Sequence, residues 1–345
     1  MQIKHAYSNT NTYLNILQKP DADITDLVTA GIETKDLEKL LEKAISDNTK
    51  YNSFTLNNII NLEIEPRDFI LSPIIPNNGI TLLYSKRGVG KTHMALEIGV
   101  TVSLGDILFD RYIAPNPVSV LYIDGEIAAA ELQARLIAIL KRRNILELPH
   151  DNFKIISNDL LNDNGIINLI TEEGQKAIEE HLFDVKLLII DNLSTLCNGG
   201  RENESESWQS MQNWLLGLRK KGISVLLIHH AGKNDTQRGT SKKEDIVDTV
   251  IKLKHPANYD PSEGVRFEVH YEKNRGFYGE DAKSFEVKLV KEDGIEKWVS
   301  QAVSTDIKNK IQELSESGLS IRQIAEEIDL SKSAVGRILK EISKE

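Results

Sequence analysis

The sequence predicts an α/β protein built on a mostly parallel sheet, and three observations carry the prediction. Short runs dominated by Val, Ile and Leu recur through the middle of the chain. Helical stretches or polar loops separate them, and the first long run passes through a glycine-containing loop directly into a helical stretch. Runs that are apolar at almost every position, rather than at every second one, suit strands covered on both faces, as parallel sheets require.

The chain has 345 residues, enough for one large α/β domain with smaller appendages. Its 52 acidic and 42 basic side chains give a formal charge of -10, so no protein-wide basic field exists and any nucleic-acid contact must be local. Cys197 is the single cysteine, which excludes an internal disulfide and a multi-cysteine zinc site. With no signal-peptide pattern visible, the expected setting is the cytosol. No apolar run approaches the ~18 residues needed to cross a bilayer, so no membrane partner is expected.

In chain order, residues 1–62 are rich in Asn, Asp, Lys and Thr and read as a helical or partly mobile arm. Its one helical stretch runs from Thr34 to Ile45, with Leu37, Leu40, Leu41 and Ala44 on one face. Residues 63–300 form the α/β domain. Strands are expected at Ile80–Tyr84, Val118–Ile123, Lys154–Ser157, Val185–Ile190, Ser224–Ile228, Thr249–Leu253 and Val265–Tyr271. Phe285, Val287 and Leu289 alternate with polar residues, and Asp293-Gly294 separates them from a short apolar stretch ending at Val299, which predicts a hairpin. Residues 301–345 turn helical, with Leu314, Leu319, Ile321, Ile324, Ala325, Ile328, Leu330, Val335, Ile338, Leu339 and Ile342 supplying a small core.

The run Ser85-Lys86-Arg87-Gly88-Val89-Gly90-Lys91-Thr92 sits between the strand Ile80–Tyr84 and a helix through Met94 and Ile98, the context of a phosphate-binding loop. Gly88 and Gly90 let successive backbone N–H groups turn toward phosphates, and the helix N-terminus adds partial positive charge. Lys91 would reach the β- and γ-phosphates, and the Thr92 hydroxyl would take a position on Mg²⁺. Ser85 stands where the motif usually begins with glycine.

Four further blocks end strands in polar residues. Leu187-Leu188-Ile189-Ile190-Asp191 offers Asp191 as a second Mg²⁺ partner. Leu121-Tyr122-Ile123-Asp124-Gly125-Glu126 offers Glu126 as general base, with Asp124 competing and with a plain helix-start role open to either acid. His230, at the end of the fifth expected strand, is the choice for sensing the γ-phosphate. Adjacent His229 and His230 point to opposite strand faces, which argues against a zinc pair and leaves an ordinary packed histidine as the alternative. Lys273 and Arg275, two apart after a strand, can project to one side and reach a phosphate of a neighbouring subunit, or else form a basic turn in solvent.

Taken in order, these blocks resemble the RecA-like ATPases, and among them the RepA-like group of hexameric replicative helicases, over roughly Phe69 to Val299. The resemblance implies ATP and Mg²⁺ as cofactors, with Lys91, Glu126, Asp191, His230, Lys273 and Arg275 matching the family's order of site residues. It also implies a homo-oligomer, a hexamer in that group, and a loop after the sensor strand that binds single-stranded DNA in a central pore. Lys233, Arg238, Lys242 and Lys243 are the phosphate-contacting residues of that loop, with a solvated charged loop the alternative.

In the C-terminal module Ser320 and Gln323 have the spacing of a capping box, and Ser331 precedes a second helix from Lys332 to Ile342. This resembles the helix-turn-helix of resolvases and sigma-type regulators, with Asp329 where glycine is common at the turn. The resemblance places Lys332, Ser333 and Arg337 where a recognition helix meets duplex DNA. A protein-docking or structural helical bundle is the other reading. The combined expectation is a DNA-acting ATPase, a helicase or translocase, with an ATP-controlled DNA-binding regulator or loader as the alternative.

Overall fold

The computed structural model describes residues 53–64, 67–146, 151–161, 165–197, 204–231, 245–256, 259–292, 294–303, 307–328 and 330–342. By its internal contacts the chain divides between Pro66 and Arg67. In the first unit the described part holds α1 (Leu56–Ile60), started by Thr55, whose hydroxyl accepts the Asn58 N–H at 3.2 Å. The helix expected at Thr34–Ile45 lies outside the described residues.

The second unit is built on one nine-stranded sheet, and the expected α/β class is what forms. Two short antiparallel strands, β1 (Phe69–Leu71) and β2 (Ile75–Pro76), precede β3 (Ile80–Ser85) and α2 (Lys91–Leu104). A small hairpin of β4 (Ile107–Leu108) and β5 (Tyr112–Ile113) follows. Then come β6 (Val120–Asp124), α3 (Ala129–Arg142), β7 (Phe153–Ser157), α4 (Glu172–Glu179), β8 (Leu187–Asp191), α5 (Leu193–Leu196) and α6 (Glu204–Lys220). The rest of the sheet comprises β9 (Ser224–His230), β10 (Thr249–Lys254), β11 (Arg266–Asn274), β12 (Phe285–Glu292) and β13 (Ile295–Ala302). Its spatial order is β13-β12-β11-β10-β3-β9-β8-β6-β7.

Strands β10, β3, β9, β8, β6 and β7 run parallel, so all of them end at the same edge. Side chains alternate across the sheet, which explains the continuous apolar runs. Leu83, Tyr122, Ile189, Leu226 and Ile251 enter one core with Met94 and Ile98 of α2. Leu82, Leu121, Ile123, Leu188, Ile190 and Leu227 enter the other with Met211, Leu215 and Leu218 of α6. Strands β11 to β13 extend the sheet antiparallel, and β12 pairs with β13 from Phe285↔Ala302 to Glu292↔Ile295 around the expected turn, where Gly294 has φ +80°.

One buried carboxylate ties three elements together. Glu97 of α2 accepts from Arg142 Nη2 at 2.7 Å, Arg143 Nη2 at 3.1 Å and Trp298 Nε1 of β13 at 2.7 Å. Bidentate and charge-assisted bonds of this kind satisfy a carboxylate that burial would otherwise penalise.

Three C-terminal helices, α7 (Ile307–Glu316), α8 (Ile321–Glu327) and α9 (Lys332–Ile342), pack on Ile311, Ile324, Ala325 and Val335, whereas Ile321, expected in this core, opens α8 and stays 44% exposed. Ser320 and Gln323 form the capping box, and the Ser331 hydroxyl accepts the Ala334 N–H at 3.2 Å. Asp329 lies outside the described residues.

Candidate functional site

Strand β3 ends at Ser85 and α2 begins at Lys91, with Gly90 as its N-cap at φ +127° and Gly88 at φ +82°. Both glycines sit where a side chain would strain the backbone. At Gly90 a Cβ would also meet the Phe267 ring at 2.9 Å, whereas at Gly88 it would meet nothing within 4 Å. No side chain caps the first turn of α2 and no acid stands in it, so its N–H groups and partial positive charge are offered to an external anion.

The Lys91 amine is folded back on the loop, 3.2 Å from Ser85 O, 3.2 Å from Ser85 Oγ and 2.9 Å from Lys86 O. Burial pushes its pKa down to about 8. Ser85 fits the irregular first position by giving its hydroxyl to Lys86 O at 2.8 Å while accepting from Lys91.

Beside the loop, β6 and β8 lie in register with Asp124 opposite Asp191. Burial raises the Asp191 pKa against hydrogen bonds from Tyr122 and Thr92, and the Tyr122 hydroxyl donates to Asp191 Oδ2 at 2.6 Å. The two residues expected to hold Mg²⁺, Thr92 and Asp191, thus lie close enough for Thr92 to lower the Asp191 pKa against the effect of burial. An alcohol and a carboxylate are hard oxygen donors that suit this ion.

The two acids after β6 have different surroundings. Asp124 is buried, accepting the Ser157 hydroxyl at 3.0 Å and the N–H groups of Glu126 at 3.4 Å and Ile127 at 3.3 Å, so it shapes the turn. Glu126 keeps 47% of its side chain exposed and reaches the ends of β8 and β9. Its Oε2 accepts from Asn192 Nδ2 and lies 3.3 Å from His230 Nε2.

His230 is also 3.3 Å from Asn192 Nδ2, and burial and then Lys91 lower its pKa, which favours the neutral ring. His229 is buried on the opposite face, as the strand alternation required. Among the described residues no group of three His, Cys, Asp or Glu could hold a metal ion.

Asn192 was not legible as a site residue, because nothing marks an Asn after a strand-end Asp until the strands are placed side by side.

Lys273 and Arg275 lie toward the other edge. Lys273 pairs with Val250, which pairs with Leu82, three residues before the end of β3. That is about 10 Å along the strand and two strands across from Ser85. Arg275 is further still, its N–H bonded to Asp248 O at 3.2 Å beside the start of β3, and its side chain is exposed. The sheet topology carries both away from their own chain's loop.

A cavity of about 510 Å³ opens next to the first turn of α2, lined by His93, Arg135, Arg142, Glu263, Val265 and Glu296 among others. Lys332, Ser333 and Arg337 are exposed on α9. The residues Lys233, Arg238, Lys242 and Lys243 lie outside the described residues. No described helix is long and apolar enough to cross a membrane.

A family model described as an AAA domain matches residues 46–236, more than half of the chain. No match was found among curated proteins. Among solved structures, a KaiC-like protein from the hyperthermophilic archaeon Pyrococcus horikoshii OT3 is similar at 15% identity and a TM-score of 0.46, over 66% of this chain and 93% of that one.

Proposed function

The chain belongs to the AAA domain family, and from that premise we propose that it is a Mg²⁺-dependent RecA-like ATPase that assembles with copies of itself and acts on DNA as a helicase or translocase. The observation that carries this reading is the division of the site residues between two edges of one sheet. Lys91, Thr92, Glu126, Asp191 and His230 gather where the parallel strands end, while Lys273 and Arg275 stand toward the opposite edge. A cation needed at the phosphates would then come from a neighbour.

The residues fit a bound Mg²⁺–ATP, since the first turn of α2 carries neither a side-chain cap nor an acid and the Lys91 amine rests on oxygens of the loop itself. When bound, that group supplies the phosphoryl bond to be broken. Lys91 with the backbone of Ser85 to Thr92 binds the phosphates, and Thr92 and Asp191 hold the cation. Glu126 takes the proton of the attacking water, and His230, touching Glu126, responds to the γ-phosphate. The cavity beside α2 takes the nucleoside. The charged loop from Lys233 to Lys243 is the segment for a single strand.

ATP hydrolysis measured with and without single-stranded DNA tests the proposal. Stimulation by the strand, lost on Lys273→Ala and on Arg275→Ala, is the expected result, and a rate indifferent to DNA contradicts it.

A second reading, a DNA-binding regulator or loader controlled by ATP, is favoured by one observation. The exposed residues Lys332, Ser333 and Arg337 lie on one helix of a compact three-helix unit with a formed capping box, as in a helix-turn-helix. Sequence-specific duplex binding without strand-stimulated hydrolysis would support that reading over the first.

A further inference from the structure

Asn192 is buried to 1% exposure at the junction of three strand ends, and every polar atom of its side chain is used. Its Oδ1 accepts the N–H groups of Ser194 at 2.9 Å and Thr195 at 3.3 Å, which start α5. Those two donors fix the amide's orientation. Turned over, it would set its NH₂ against two N–H groups and its oxygen against a carboxylate. Nδ2 must therefore face Glu126 Oε2, to which it donates, and it lies 3.3 Å from His230 Nε2.

The backbone around the contact is equally constrained. The Gly125 N–H bonds Asp191 O at 2.8 Å, and a Cβ on Gly125 would meet Thr195 Oγ1 at 2.6 Å and Leu196 Cγ at 2.7 Å. The segment carrying Glu126 is pressed onto the start of α5, so a shift of one carries the other.

We infer that Asn192 is a positioning residue for the general base: its amide holds Glu126 by Oε2, leaves Oε1 to face the water, and ties the carboxylate to His230 on the sensor strand. This rests on the reading of Glu126 as the base. A displacement at the end of β9 reaches the carboxylate through the shared contact of His230 and Asn192, which gives the sensor strand a route to the reacting centre.

Asn192→Ser and Asn192→Asp in the full chain test it, since both keep an oxygen to cap α5 and neither offers the amide donor to Glu126. Steady-state ATP hydrolysis, nucleotide affinity and thermal midpoint are measured together, with Glu126→Gln as control. Both variants should lose kcat by about tenfold or more, a fraction of what a general base contributes, with KM and nucleotide Kd within about twofold and the midpoint kept. Asn192→Asp should be the slower, because it sets a carboxylate against Glu126. If Asn192→Ser folds poorly, Asn192→Asp decides.

Wild-type kcat in the Asn192 variants beside an inactive Glu126→Gln overturns the positioning role alone, as does a change confined to KM. An active Glu126→Gln overturns the assignment of the base and the inference with it.

Discussion

Replacing His93 with Gln should flatten part of the acid sensitivity of the nucleotide-free protein. His93 sits on the first turn of α2, in the wall of the cavity beside the phosphate loop. Burial first, and the charges of Arg135 and Arg142 next, push its pKa from 6.5 down to about 4. The folded value lies below the unfolded one, so the stabilising contribution is complete above the unfolded pKa and is lost as pH falls toward and through the folded one.

Two and a half pH units at about 1.4 kcal/mol each come to about 3.5 kcal/mol, of which about 2 kcal/mol should be gone at pH 5. Thermal midpoints of wild type and His93→Gln at pH 7.5 and pH 5 read the difference. Wild type should lose roughly 4 °C more than the variant on acidification. Parallel losses would show that His93 is charged, or equally accessible, in both states, and would refute the burial of its ring beside Arg135 and Arg142.

Further outcomes follow from other sites. Glu97→Ala leaves Arg142 and Arg143 buried without their shared carboxylate and should cost about 3 to 5 kcal/mol, seen as a lowered midpoint. Glu131→Ala, which breaks an exposed pair with Arg135, should move the same midpoint by less than about 1 kcal/mol. Lys91→Ala should abolish ATP binding in a fluorescent-nucleotide titration while leaving the midpoint of the empty protein unchanged or raised, because the amine is held there at a desolvation cost. Arg337→Ala should weaken duplex binding, read by fluorescence anisotropy, without altering ATP turnover in the absence of DNA.

The sheet was largely legible because its central strands are apolar on both faces, a pattern that needs no tertiary knowledge. Their ends were less so. β9 continues through His229 and His230, and β11 runs to Asn274, because polar side chains at those ends find partners that only the fold supplies. The phosphate loop was legible from local spacing, since its chemistry is contained in eight consecutive residues.

The different surroundings of Asp124 and Glu126 were not legible. They depend on Ser157 from β7 engaging Asp124 and on Asn192, which follows β8, engaging Glu126. Glu97 was hidden for the same reason, its partners lying some 45 and 201 positions away in sequence. Lys273 and Arg275 were legible as a pair, but their distance from the loop of their own chain came from the antiparallel turn of β11 against β10.

The central claim is that hydrolysis takes place between copies of the chain, and mixing two inactive variants tests it most directly. Glu126→Gln retains Arg275, and Arg275→Ala retains Glu126, so a mixed assembly can rebuild a complete site across an interface that neither variant forms alone. Each variant alone should be inactive, and an equimolar mixture should recover about a quarter of wild-type hydrolysis, as random neighbours in a closed ring require. A mixture no more active than its parts, or full activity in Arg275→Ala alone, would contradict the account.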